Sequence, residues 1–389
     1  MSRSPRDSLV SASGRSLGTM FPQRPVPQPE RVRRVLVVKP AAFGDILFAT
    51  PALAAIKRAY AGAIITLAVG RWYTELTSGI PDADEVLDCG PLGTPGRYGW
   101  RDVWRFSQAI RGRFDLAIVL DRSARVAMAP WIAGVPHRAG IDSSGRGFAL
   151  TVRVPWDRPR HEAELMLDVL RGMGIACPDP HLKYVPTPEH ERFAARLLEE
   201  WDLTNRFPLV VVHPGGASNP GTVMPQKRWP APRFAALADR IVDETGAQIV
   251  VVGHGADQPL ARQMRLSMRH PSVDLVGQTT IGQLAALLRR SHLYIGNDSL
   301  PLHLAVGVGT PVLGMFGPTD PAINGPYNAV GVGLVHKDAC SQHRPFVPGP
   351  VTACPGCRCI ERISVAAAGD AAAQLLQGAA SQSHRPRSV

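Results

Sequence analysis

The sequence predicts an α/β protein with two separate parallel sheets, and three observations carry that reading. Short apolar runs suited to buried strands alternate with longer stretches in which apolar residues recur every three or four positions. The alternation breaks once, between residues 155 and 208, where two helical stretches flank a Pro-rich segment and a domain linker is expected. The chain of 389 residues, 45% hydrophobic and 19% charged, is too long for one small core and too apolar for general disorder.

In the first half, residues 35–39 read as a buried parallel strand and 40–43 as its exit loop. A helix follows from Gly44, with Leu47, Leu53, Ile56 and Tyr60 on its apolar side and Pro51 in its first turns. Strands are expected at 64–69, 85–87 and 114–120, with helices around 73–78 and 102–111 between them. Residues 161–173 and 189–201 form the two helices beside the linker. The second half repeats the pattern: strands at 209–213, 248–252, near 273, at 293–296 and 311–316, separated by helices at 232–244, 258–268, 281–290 and 299–306.

Composition excludes several function classes. No apolar run reaches the roughly 18 residues of a spanning helix, the longest being broken by Gly307, Gly309, Pro311 and Gly314, so a soluble or peripheral protein is expected. Of the formal charge of +11, residues 1–34 carry +5 and 381–389 carry +2, which leaves an ordinary +4 on the body. Nucleic-acid binding loses its main support with that division. Residues 1–34, rich in Arg, Ser and Pro, read as a disordered basic arm without the apolar segment of a secretory signal, and 381–389 as a disordered tail. Six cysteines in so long a chain make no disulfide framework, and a reducing compartment is expected.

Chemistry-bearing residues gather where strands end and helices begin, the place where open α/β sheets bind ligands. Lys39-Pro-Ala-Ala-Phe-Gly-Asp45 puts an acid at a helix start, which by itself reads equally as dipole complementation. It lacks the glycine spacing of a dinucleotide or P-loop site. His213-Pro-Gly-Gly216 leads to Lys227-Arg-Trp-Pro230: glycines Gly215 and Gly216 admit a phosphate to backbone N–H groups, and Lys227 offers a positive charge, although a plain turn with a surface lysine has the same signature. Gly296-Asn-Asp-Ser299 opens a further helix whose free N–H groups suit a diphosphate, with Asp298 or Ser299 as cap and His303 one turn in. Phe316-Gly-Pro-Thr-Asp320 adds Thr319 at the same edge.

In this order, from about residue 35 to 365, the four segments resemble glycosyltransferase family 9, the ADP-heptose heptosyltransferase pattern. The resemblance implies a GT-B fold: α/β, two Rossmann-like parallel-sheet domains facing a cleft, with an acceptor-side domain over 35–185 and a nucleotide-sugar-binding domain over 186–380. It implies inverting, metal-independent transfer of a sugar, a heptose from ADP-heptose, to a lipopolysaccharide-core or related glycan acceptor. The nucleotide sugar is a substrate, and no cofactor is implied. Asp45 matches the catalytic base and Lys227 the phosphate-contacting lysine. Asp298, Ser299 and His303 match the donor loop, and Asp257 matches an acid that holds the nucleotide ribose. A cytoplasmic monomer with peripheral membrane contact and no nucleic-acid partner is expected. Two alternatives stay open: a GT-B enzyme using another nucleotide sugar, epimerases included, and a non-catalytic nucleotide-sugar or glycan-binding relative. Leu300 departs from the pattern, which has glycine there; if that glycine takes a left-handed conformation, Leu300 adds a steric cost.

Arg111, Arg113, Arg122, Arg125, Arg138, Arg146 and Arg153 cluster in the first half as solvated loop charge or as an acceptor surface for a phosphorylated or carboxylated glycolipid, with Arg122 and Arg125 as the chosen acceptor contacts. Trp72, Tyr73, Trp104 and Trp131 read mainly as core. Asp82-Ala-Asp84 imitates a metal motif but stands in a turn before a strand. Cys340, Cys354, Cys357 and Cys359 lack paired zinc spacing and read as thiols.

Overall fold

The structure, a computed structural model, describes residues 23–156, 159–178, 180–203, 208–336 and 358–382. The chain divides into two compact units, Met1–Pro180 and His181–Val389. Each unit is built around one six-stranded sheet.

In the first unit the strands are β1 (Arg34–Val38), β2 (Ile64–Val69), β3 (Glu85–Asp88), β4 (Leu116–Val119), β5 (His137–Asp142) and β6 (Val152–Pro155). They lie in the order β3-β2-β1-β4-β5-β6, all pairs parallel. Helices α1 (Phe43–Phe48), α2 (Thr50–Ala59), α3 (Trp100–Ile110), α4 (Ala124–Ile132) and α5 (Glu162–Gly172) complete it. The helix expected from Gly44 is divided at Ala49: Pro51 has no N–H for the carbonyl of Leu47, and the Thr50 hydroxyl donates to that carbonyl at 2.7 Å instead. The helix expected around Tyr73 is a 3-10 segment, Arg71–Gly79. The lower end of the expected arm is packed on this unit: Arg24 N donates to Thr151 O at 3.0 Å, Val32 is buried, and Arg34 opens β1. The expectation of disorder up to residue 34 is thereby corrected for 23–34, because β1 and the 138–151 backbone offer partners that composition cannot show.

The second unit begins with α6 (Pro188–Glu200) and repeats the plan. Its strands are β7 (Leu209–His213), a short antiparallel hairpin of β8 (Ser218–Asn219) and β9 (Thr222–Val223), then β10 (Gln248–Val251), β11 (Val273–Asp274), β12 (Leu293–Asn297), β13 (Val312–Met315) and β14 (Gly331–Leu334). Its sheet order is β11-β10-β7-β12-β13-β14, again all parallel. Helices α7 (Ala231–Thr245), α8 (Gln258–Ser267), α9 (Ile281–Arg289), α10 (Leu300–Gly307), α11 (Pro321–Asn324) and α12 (Val365–Gln382) flank it.

Both orders follow the doubly wound pattern 3-2-1-4-5-6, in which the chain reverses direction between the first and fourth strands of the unit. Strands covered on both faces must be largely apolar, which is why residues 35–38 of β1, Leu116–Val119 of β4 and residues 209–212 of β7 read as continuous aliphatic runs. α12 packs its Ala368, Ala372, Leu375 and Leu376 into the core of the second unit, and Arg240 pairs with Asp370 at 2.7 Å beside it.

Candidate functional site

Each unit presents chemistry at its switch point, where the loops after the two central strands part. In the first unit these loops follow β1 and β4. The β1 loop carries Lys39, whose ammonium is buried, and Asp45 in the first turn of α1. Asp45 Oδ2 accepts from Lys39 Nζ at 3.2 Å and from Ala42 N at 3.4 Å, and about a third of its side chain is open to solvent. The capping reading accounts for Oδ2, which anchors the turn, and both partners fall on that one oxygen. The β4 loop carries Arg122, whose guanidinium donates to Glu162 Oε1 at 2.9 Å and lies 4.8 Å from the Trp156 ring centroid.

Glu162, at the start of α5, is the residue that sequence reasoning missed here. It is buried, and burial pushes its carboxyl upward; Arg122 opposes the rise, Asp45 adds to it and Lys39 opposes it. These four side chains form one charged group, so Arg122 and Asp45 act in the same neighbourhood. Arg125 does not join them. Its guanidinium lies over Tyr98 and Trp100, 6.0 and 5.7 Å from their centroids.

In the second unit the switch point lies between β7 and β12, whose registered pairing puts His213 beside Gly296. Asp298, buried at the end of β12, is the meeting point of three residues separated widely in sequence. Lys227 Nζ lies 2.5 Å and the Thr319 hydroxyl 2.7 Å from its Oδ2, and His303 Nε2 lies 3.4 Å from its Oδ1. Burial raises the Asp298 carboxyl, but the charge of Lys227 and the hydrogen bonds of His303 and Lys227 outweigh it and hold the group well below the usual carboxylate range.

Ser299 occupies the N-cap position of α10 without the side-chain cap expected there, because its hydroxyl turns to His213 Nδ1 at 3.3 Å and Asn297 O at 3.2 Å. His213 Nε2 stands 3.2 Å from Asp257 Oδ2, and Asp257 also accepts from Gly216 N at 3.0 Å and His254 N at 3.0 Å. Burial raises Asp257 while His213 and the two backbone donors pull it down, to about 2. Through these three donors Asp257 ties Gly216, His254 and His213 together. Asn297, fully buried, ties the same loop to the next one by donating to Pro214 O and Gly215 O and accepting from Trp229 N. His213 and Asn297 stand in two of the segments singled out in the sequence, which by itself gives them no role, whereas nothing in local patterning marks Glu162 beyond its place at a helix start.

Gly216 has φ +82°, and a Cβ there would stand 2.7 Å from Ser299 Cβ and 2.9 Å from its hydroxyl. Gly215 is closed to a side chain by the Asp257 carboxylate. Gly216→Ala is expected to lower stability by about 1–3 kcal/mol and to weaken nucleotide binding, read by urea unfolding and nucleotide titration; unchanged nucleotide affinity would contradict this role for the loop. Leu300 is the first residue of α10 and is not among the residues with positive φ, so the left-handed cost expected of it does not arise.

Asp84 is taken by Lys57 at 2.6 Å and by Ile65 N at 2.8 Å, in keeping with a structural turn. Among the described residues no group of three or more His, Cys, Asp or Glu is arranged to hold a metal ion. Cys359 is buried, and Cys340, Cys354 and Cys357 lie outside the described residues, as does most of the 381–389 tail. No described helix is long and apolar enough to cross a membrane.

Residues 103–345 match glycosyltransferase family 9 (heptosyltransferase). The chain is 26% identical to lipooligosaccharide heptosyltransferase 2 of Haemophilus ducreyi, over 77% of this chain and 87% of that protein. Among solved structures it resembles a glycosyl transferase family 9 protein from Veillonella parvula, with a TM-score of 0.75 and 25% identity over 89% of this chain and 98% of that one. It also resembles the E. coli ADP-heptose lps heptosyltransferase II, with a TM-score of 0.67 and 20% identity over 89% and 99% of the two chains.

Proposed function

The chain belongs to glycosyltransferase family 9, and from that membership we propose that it moves a heptose from ADP-heptose onto a lipopolysaccharide-core or related glycan acceptor, with inversion and without a metal ion. The relatives named for this reaction supply the donor and acceptor classes. The observation that carries the reading is the convergence of Lys227, His303 and Thr319 on Asp298 beside the Gly215-Gly216 loop and the N-terminus of α10.

In this reading the second unit, with residues 186–380 as its working extent, binds the donor. The positive end of α10 and the glycine loop receive the diphosphate; Pro301 has no N–H and Leu302 N is given to Ser299 O, so the helix acts there mainly through its dipole and the Leu300 backbone. Lys227 turns from Asp298 toward the phosphate oxygens as negative charge develops on the leaving group. Asp298 is a poor direct partner for an anion, and it serves by holding Lys227, His303 and Thr319 ready. Ser299, backed by His213 and Asp257, faces the same ligand.

The first unit takes the acceptor; its expected end at 185 moves to Pro180, since Tyr184 N donates to Gly307 O in the second unit. Asp45 accepts the proton of the attacking hydroxyl while the oxygen forms its bond to the anomeric carbon and the bond to the diphosphate breaks. Lys39 keeps Asp45 oriented. Arg122, braced by Glu162 and Trp156, offers a fork for an acceptor oxyanion.

A thermal-shift series with ADP-, UDP-, GDP- and dTDP-sugars tests the donor. Selective stabilisation by the ADP-sugar is expected, worth about 2.7 kcal/mol at a hundredfold excess over Kd. Selective stabilisation by another nucleotide would transfer the reading to a different donor.

A further inference from the structure

The outer face of α3 is built unlike the surface of an ordinary amphipathic helix. Its inner face buries Val103, Phe106, Ser107 and Ile110. Its solvent-facing flank carries Trp100 and Trp104, one turn apart and 54% and 59% exposed, and the exposed Arg101 and Arg105 stand beside them toward the face opposite the core. Residues 97–113 hold five arginines against one acid, Asp102. That acid is spent on the helix start, accepting from Gly99 N at 2.9 Å. α4, which packs alongside, contributes no acid and adds Arg125, whose guanidinium lies 5.7 Å from the Trp100 ring centroid.

Two exposed indoles on one stripe are costly in water, since each presents a large apolar ring. Single exposed apolar residues are ordinary: Trp201 is 52% exposed and follows the acids Glu199 and Glu200. On α3 the rings and the charges coincide. Indoles settle at the boundary between headgroups and acyl chains, and arginines beside them meet the negative surface of an anionic leaflet. A single convex helix offers no groove to track a nucleic-acid backbone, which favours a broad charged surface as the occupant.

We infer that the Trp100–Trp104 face of α3, bordered by Arg97, Arg101, Arg105 and Arg125, docks this protein onto an anionic phospholipid surface. The assignment rests on this face alone and not on the donor or the reaction, so its failure leaves the proposed transfer untouched.

The test uses the full chain and co-sedimentation with vesicles of phosphatidylcholine alone or mixed with phosphatidylglycerol. The wild type is expected to sediment with the mixed vesicles and not with phosphatidylcholine alone. The pairs Trp100→Ser with Trp104→Ser, and Arg101→Gln with Arg105→Gln, are each expected to reduce the bound fraction by about tenfold or more at low salt. Their melting temperatures should stay near that of the wild type, because the substituted side chains are exposed. Raising the salt should erase the difference made by the arginines and preserve that made by the indoles. Failure of the wild type to bind mixed vesicles overturns the inference, including the case in which it captures a single-stranded oligonucleotide instead. Wild-type sedimentation by both variants also overturns it, and assigns the lipid contact to the basic arm at residues 1–34.

Discussion

Replacing Asp45 by Asn is expected to lower turnover on the order of 10² to 10⁴-fold while leaving nucleotide affinity within a few-fold of wild type. The amide keeps the shape of the side chain and an oxygen that can accept from Lys39 and Ala42 N, the two partners of the carboxylate. The fold of the β1 loop is therefore retained. What the amide loses is the ability to take a proton from an attacking hydroxyl, so the defect should fall on kcat. Single-turnover transfer with a saturating donor measures it, alongside titration of the nucleotide. Turnover within tenfold of wild type would remove Asp45 from the reaction, and loss of nucleotide binding would show a structural part instead.

The second large effect is expected from Lys227→Met. Asp298 is buried, and its carboxylate is kept charged chiefly by Lys227 at 2.5 Å. Removing Lys227 leaves the buried carboxylate with His303 and Thr319 alone, a loss expected at or below about 3 kcal/mol, the low end for breaking a buried pair.

The pH dependence gives the effect a sign. In the wild type the depressed Asp298 contributes stability above the ordinary carboxylate range, and that contribution is lost as pH falls through its folded value. In the variant the pull of Lys227 is gone and burial is opposed only by His303 and Thr319, so the carboxyl stands higher than in the wild type and its ionised form contributes less stability at neutral pH. That deficit is relieved as acid protonates the group in both proteins. Urea unfolding at neutral pH and near pH 4 should show a gap between the proteins that narrows in acid. Adding Asp298→Asn to the variant should recover part of the loss at neutral pH. A gap independent of pH, or no recovery in the double variant, would show that the pair does not carry this energy.

Most of the frame could be read from the chain. β2 and β7 fall on the residues expected, because apolar runs buried on both faces leave an unambiguous local mark. β5 and β6 escaped, since His137, Arg138, Asp142 and Arg153 interrupt the apolar pattern. The two arginines find loop carbonyls instead: Arg138 donates to Ala149 O and Val135 O, and Arg153 to Leu150 O and Phe148 O. α12 escaped for another reason. Its Ala-rich sequence buries small side chains against α7, and small residues give a weak periodic signal.

The sequence by itself determined the alternation of strand and helix, the loops that could hold a ligand and, through four ordered segments, the family. Only the tertiary structure decided which side chains share a charge. Lys227 and Asp298 are 71 positions apart, and His213 and Asp257 are 44 apart. Glu162 joins Arg122 across 40 positions to brace the neighbourhood of Asp45. Local periodicity reports whether a residue faces a core and is silent about distant neighbours. Strand order and register bring the ends of β1 and β4, and of β7 and β12, side by side, and electrostatics at those ends then fixes what each residue can do.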